Sequence, residues 1–213
     1  MDGLLADTEP LWRKAEKKVF KQVNINLTDE MTASTVGLKI NEVVDHWFKL
    51  YPWNELIPKE KIVNDVLDEL ERLIDKEGKE MEGTDYIISY FNKTGLKIAL
   101  ASSSPVRMIN FILNKFKIKD RFEVIHSGEF EKCGKPDPAI YLTTAGKLGI
   151  NPESCLAFED SYYGLLSAKK AGMKTVCIPD PEFYNDNKFD IADIKLNSLH
   201  EFNDEHLKYL NSF

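Results

Sequence analysis

From residue 84 to the C-terminus, short apolar runs alternate with longer segments of helical spacing. This alternation limits the fold more than any other feature. Tyr86, Ile87, Tyr90 and Phe91 recur at helical spacing up to Gly95, and residues 97–101 then form a short apolar run. Val106, Ile109, Ile112, Leu113 and Phe116 mark a second helical face. The pattern continues with strands expected at 122–125, 155–158, 175–178 and 194–196, and helices at 138–148, 162–171 and the C-terminus. Apolar strands too short to alternate, each followed by a helix, predict a parallel sheet covered on both faces.

Residues 10–80 carry no strand signal. Pro10 suits a helix first turn, with Leu11, Ala15 and Val19 on one face. Val43, Val44, Trp47 and Phe48 repeat at helical spacing, as do Ile62, Val63, Val66, Leu67, Leu70, Leu73 and Ile74, before a stop at Gly78. The expected organisation is an α/β, Rossmann-like parallel-sheet core formed by residues 1–9 and 81–213, with an inserted α-helical cap at 10–80. Two short joints, 6–9 and 79–83, suit a lid that opens over a site at the strand ends.

Composition narrows the function. A net charge of −7 with scattered lysines gives no basic stripe for nucleic acid, and no apolar run approaches a membrane span. Cys133, Cys155 and Cys177 have no paired spacing, and the last two lie in apolar runs as buried thiols. His46, His126 and His200 lack metal-ligand spacing and read as surface or interface residues. No signal peptide is visible, so a cytoplasmic monomer is expected, with a small molecule as its partner.

Four clusters carry chemistry. Asp2-Gly3 precedes Asp7-Thr8-Glu9-Pro10. Ser102, Ser103 and Ser104 end an apolar strand just before Pro105 opens a helix. Hydroxyls and backbone N–H groups there can cradle a phosphate, although one serine could be a plain cap. Lys135 stands between Gly134 and Pro136, a cation in a site otherwise rich in carboxylates. Glu159 and Asp160 end the strand at 155–158, where two acids would repel unless they met a cation such as Mg2+. Capping of the next helix is the blander role for Asp160.

Together these strings resemble, in order and at family spacings, the four motifs of haloacid dehalogenase (HAD) superfamily phosphatases. The cap is similar to that of the β-phosphoglucomutase-like branch, including 2-deoxyglucose-6-phosphatases. The first motif in that family reads D-x-D-G, and Met1 sits at the x. The resemblance therefore implies that Asp2 is the general acid/base and that the nucleophilic Asp and its strand would lie immediately before Met1. It implies phosphate contacts from Ser102, the Ser103 backbone and Lys135. It also implies Mg2+ held by Asp160, by Glu159 directly or through water, and by the Asp2 carbonyl. The family's specificity loop falls at 35–39. Lys39, and Asn54 within the aromatic cluster of Trp47, Tyr51 and Trp53, are the cap residues expected to meet substrate, while Trp47 reads more simply as cap core. The implied activity is Mg2+-dependent hydrolysis of a hexose- or hexitol-phosphate through an aspartyl-phosphate. A mutase of β-phosphoglucomutase type, or a catalytically dead truncated chain, are the alternatives.

Overall fold

The computed structural model describes residues 1–212. Strand β1 (Ala6–Asp7) leads into helices α1 (Glu9–Phe20), α2 (Asp29–Ala33), α3 (Ile40–Leu50) and α4 (Lys59–Glu77), and strand β2 (Lys79–Glu80) follows. The two short joints pair antiparallel, with Ala6 opposite Glu80 and Asp7 opposite Lys79. Two-residue rungs give no periodicity to read, and Lys79 and Glu80 are both exposed.

The helical insert is built by amphipathic faces. Leu11, Ala15 and Val19 of α1 are buried, and α1 packs against α4, which buries Ile62, Val66, Leu67, Leu70, Leu73 and Ile74. Helix α3 buries Ile40, Val43, Val44 and Trp47, which share one stripe at i, i+3, i+4 and i+7. Trp47 is insert core and stacks on Tyr51. Lys14–Glu77 and Lys18–Glu69 link α1 to α4 at the surface. Such pairs contribute about 0–1 kcal/mol each, so the apolar seam carries the packing.

The remaining chain alternates as its pattern predicts: α5 (Thr84–Thr94), β3 (Ala99–Ser102), α6 (Val106–Lys115), β4 (Val124–Ser127), α7 (Ala139–Leu148), β5 (Leu156–Glu159), α8 (Tyr162–Lys170), β6 (Lys174–Cys177), β7 (Ile194–Lys195) and α9 (Asp204–Leu210). Strands β3 and β4 pair in parallel, and β5, β6 and β7 form a second parallel set. Helix α7 packs on β3 and β4, and α8 on β5 and β6. Strand β4 lies two residues beyond the apolar run at 122–125, because His126 and Ser127 enter the sheet and are buried. Cys177 is buried on β6, whereas Cys155 is only partly covered.

The facing edges of β3 and β5 are not paired with each other. Between them lies a largely apolar cavity of about 770 Å³. Leu100 and Ala101 line one side, Leu156 to Phe158 the other, and Met1, Leu4 and Leu5 also face it.

Candidate active site

The C-terminal ends of β3 and β5 bring Ser102 and Glu159 to one cleft, with the N-terminal turn between them. Met1, Asp2, the three serines, Lys135, Glu159 and Asp160 line its core side. Glu9, Trp12, Arg13 and Glu16 of α1, and the segment Thr35–Leu38, line the other. The structure therefore gathers six of the eight expected site residues. At about 80 Å³ the cleft is well below the size of pockets that enclose whole ligands.

Asp2 is held by three donors. Thr8 Oγ1 and Trp12 Nε1 reach Oδ1 at 2.6 and 2.9 Å, and Ser104 Oγ reaches Oδ2 at 2.6 Å. These fix its rotamer, which is what a positioned proton donor requires. The adjacent Gly3 has φ +67°, and a Cβ there would overlap the Asp160 carboxylate. Glycine thus permits both the turn and the close approach of the two motifs.

The serines divide their roles. Ser102 is buried, and its Oγ accepts from the Ser104 N–H at 3.2 Å. Ser103 Oγ donates to the Gly37 carbonyl at 3.0 Å, joining core to insert. Ser104, which the sequence reading gave no role, is the serine that touches Asp2.

Lys135 precedes a cis peptide to Pro136 and is buried. Its ammonium donates to Glu159 Oε1, as does the Tyr141 hydroxyl, while Ser161 Oγ donates to Oε2 at 3.1 Å. Burial would raise the Glu159 carboxyl, but the Lys135 ammonium outweighs it and holds Glu159 below its usual range. Burial, then Glu159, pushes Asp160 up to about 7. Burial, then Asp160 and Asp2, pushes Glu9 up to about 8. The Met1 α-amino group lies close enough to Glu159 and Asp160 to favour their ionised forms.

A divalent cation fits this excess of negative charge. No cluster of three or more ligating His, Cys, Asp or Glu side chains occurs among the described residues. Magnesium does not need one, since it takes one or two carboxylates and completes its shell with water and phosphate oxygens. Asp160 supplies a carboxylate with no side-chain donor on it among the described residues, whereas Glu159 is already met by three. Asp160 is therefore the better-placed direct ligand of the expected pair.

Lys39 and Asn54 are not brought to the cleft. Lys39 Nζ donates to the Glu131 carbonyl at 3.1 Å, which leaves Thr35–Leu38 as the lining part of that loop. Asn54 is exposed in a turn, where its Oδ1 accepts from the Leu56 N–H at 3.0 Å. His126 is also not a surface residue. It is 2 % exposed, with Nε2 2.6 Å from Glu131 Oε1 and Nδ1 2.9 Å from Lys147 Nζ. A position on a parallel strand end, covered by the following loop, buries it.

Glycine at 164 is demanded by the site, because a Cβ there would run into the Glu159 carboxylate. Gly164→Ala is expected to push Glu159 from its donors and lower stability by about 1–3 kcal/mol, measured by denaturant melts. An unchanged midpoint would contradict the packing described.

Glu16 gives a pH signature. It is 7 % exposed, and burial pushes its carboxyl up to about 8 against the opposing Arg13 guanidinium. The folded state then holds a proton that the unfolded chain has released, so this group's contribution to stability falls as pH rises from 4.5 towards 8. Glu16→Gln should therefore gain in melting temperature relative to the parent as pH is raised through that window. A pH-independent difference would contradict the buried, unpaired environment.

Comparison with known proteins agrees with this geometry. Residues 1–178 match the model of the haloacid dehalogenase-like hydrolases. The chain belongs to that family. Hexitol phosphatase B of Escherichia coli (strain K12) is 37% identical over 203 residues, covering 94% of this chain and 90% of the relative. The phosphorylated carbohydrates phosphatase of Thermotoga maritima is 30% identical, covering 83% of this chain and 81% of its own length. In fold, the HAD chain superposes on a β-phosphoglucomutase from Clostridium difficile with a TM-score of 0.87, 24% identity and coverage of 99% and 94%. It is thus an α/β HAD fold of the β-phosphoglucomutase-like branch. No helix among its described residues is long and apolar enough to cross a membrane.

Proposed function

We propose that this HAD chain hydrolyses a small sugar phosphate of the hexose- or hexitol-phosphate type, through an aspartyl-phosphate on an Asp placed immediately before Met1. The observation that carries this is the seat of Met1. Its amino group lies beside Glu159 and Asp160, at the mouth of the cavity between β3 and β5. One residue further back is one Cα step of about 3.8 Å. A preceding carboxylate would therefore emerge at the cleft. An apolar strand ahead of it would pair with both free edges, satisfying their backbone groups.

In this reading the nucleophilic carboxylate attacks phosphorus, the ester bond breaks, and Asp2 gives its proton to the leaving oxygen. Water then attacks the acyl phosphate, Asp2 takes the proton, and inorganic phosphate leaves. Ser102 and the Ser103 backbone hold phosphoryl oxygens. Lys135, now paired with Glu159, holds negative charge at the same centre. Asp160, with the Asp2 carbonyl and Glu159, would hold a Mg2+ that would supply further neutralisation of phosphoryl charge. The rungs of β1 and β2 serve as the hinge of a cap, α1–α4, that opens to admit the sugar. The names of the relatives support hydrolysis over isomerisation. Product analysis of a chain extended upstream by such a strand and Asp tests this. Free inorganic phosphate is expected, and isomerised sugar phosphate without phosphate release would favour the mutase instead.

A further inference from the structure

Helix α1 turns one polar face into the cleft. Glu9, Arg13 and Glu16 stand at i, i+4 and i+7, so they share that face. Helical rise sets Arg13 about 6 Å and Glu16 about 10 Å beyond Glu9. Glu9 lies with Asp2 and Asp160, where the phosphate chemistry is placed. Arg13 and Glu16 line the same cleft further along α1 from that centre.

These two side chains are poorly satisfied by the protein. The Arg13 Nε is buried and has no hydrogen-bond partner. Glu16 makes no hydrogen bond among the described residues, although it is almost fully covered. Three other polar side chains on this side are committed elsewhere. Trp12 Nε1 is used on Asp2, Thr32 Oγ1 on the Asp29 carbonyl at 3.0 Å, and Thr35 Oγ1 on the Thr32 carbonyl at 3.1 Å. Buried donors and acceptors left without partners cost free energy, so a site that keeps them is matched to groups on a ligand.

We infer that Arg13 and Glu16 are the specificity-determining pair of the cleft, reading adjacent hydroxyls of an uncharged polyhydroxy leaving group. The inference rests on the phosphatase reading above and names what that site selects. A guanidinium donates to hydroxyl oxygens, a carboxyl accepts from hydroxyl hydrogens, and a sugar or sugar alcohol offers both on neighbouring carbons. The pair also selects against alternatives. Above about pH 8, where Glu16 is ionised, a second phosphate or a carboxylate near Arg13 would meet its negative charge, and at any pH an apolar group would leave both side chains unpaired.

Calorimetric binding to the 213-residue chain in magnesium buffer tests this, with a hexitol monophosphate, a hexose bisphosphate, phenyl phosphate and inorganic phosphate as probes. Glu16→Gln and Arg13→Gln should each weaken the hexitol monophosphate about tenfold or more, while phenyl phosphate and inorganic phosphate bind as to the parent. At pH 9, where Glu16 is ionised, Glu16→Gln should also bind the hexose bisphosphate more tightly than the parent does, a gain that misfolding cannot produce. Unchanged hexitol phosphate affinity in both variants, or equal losses on phenyl phosphate, would overturn the assignment. If the parent binds inorganic phosphate but prefers none of the sugar phosphates over phenyl phosphate, this inference falls and the phosphate site stands. Failure of the parent to bind any of the four would sink the phosphatase reading and this inference with it.

Discussion

A chain carrying an apolar strand that ends in Asp immediately before Met1 should release phosphate from a hexitol monophosphate on the order of 10⁴-fold faster, or more, than the polypeptide starting at Met1. The size follows from what is being restored. In the proposed mechanism Asp2 moves a proton and Ser102 and Lys135 neutralise charge, but none of them forms the covalent intermediate. Structure should change with rate. The added strand would fill the cavity between β3 and β5, so melting temperature should rise and amides of Leu100 and Ala157 should become slower to exchange with solvent. Equal turnover by the two polypeptides would mean that another group attacks phosphorus.

The second large effect is at Asp160. In the extended chain Asp160→Ala should lower magnesium-dependent turnover by about 10²–10³-fold and weaken magnesium binding, because a methyl group cannot replace a carboxylate ligand. Stability should hold or improve, since burial and Glu159 already disfavour its charge. Lys135→Ala contrasts with it. Removing that ammonium leaves Glu159 buried and charged, a loss on the order of 3–5 kcal/mol when one partner of a buried pair is removed. The Tyr141 and Ser161 donors place the expected value at the lower end of that range. Calorimetric magnesium titration and denaturant melts separate the two variants. Wild-type magnesium affinity in Asp160→Ala would remove it from the metal site.

How much of this could be read beforehand differs by element. Core strands and helices were legible because each apolar run is buried by a sheet, and Gly95 and Gly149 sit in left-handed caps where the helical patterns stop. Strand β4 was displaced because its end is polar, and burial of His126 and Ser127 comes from neighbours far along the chain. The site was legible where strand ends set direction, as for Ser102, Glu159 and Asp160. It was not legible where one residue's orientation decides the matter. Lys39 belongs to the expected loop, yet its ammonium turns to Glu131, while Thr35 to Leu38 face the cleft. Among three consecutive serines nothing in the sequence singles out Ser104 for Asp2. Arg13 and Glu16 did leave a signal, since Glu9, Arg13 and Glu16 recur at i, i+4 and i+7 on a face of α1 away from Leu11 and Ala15. That signal gains meaning only once the face is seen to close over the cleft.

The covalent intermediate is the central claim, and its capture is the most direct test. The extended chain would be mixed with a labelled hexitol monophosphate and magnesium, quenched in acid within one turnover, and mapped by mass spectrometry. The account predicts a hydroxylamine-labile acyl phosphate on the Asp immediately before Met1, lost when Asn replaces that Asp. Phosphate release with the label on Asp2, on Glu9 or on no residue would contradict it.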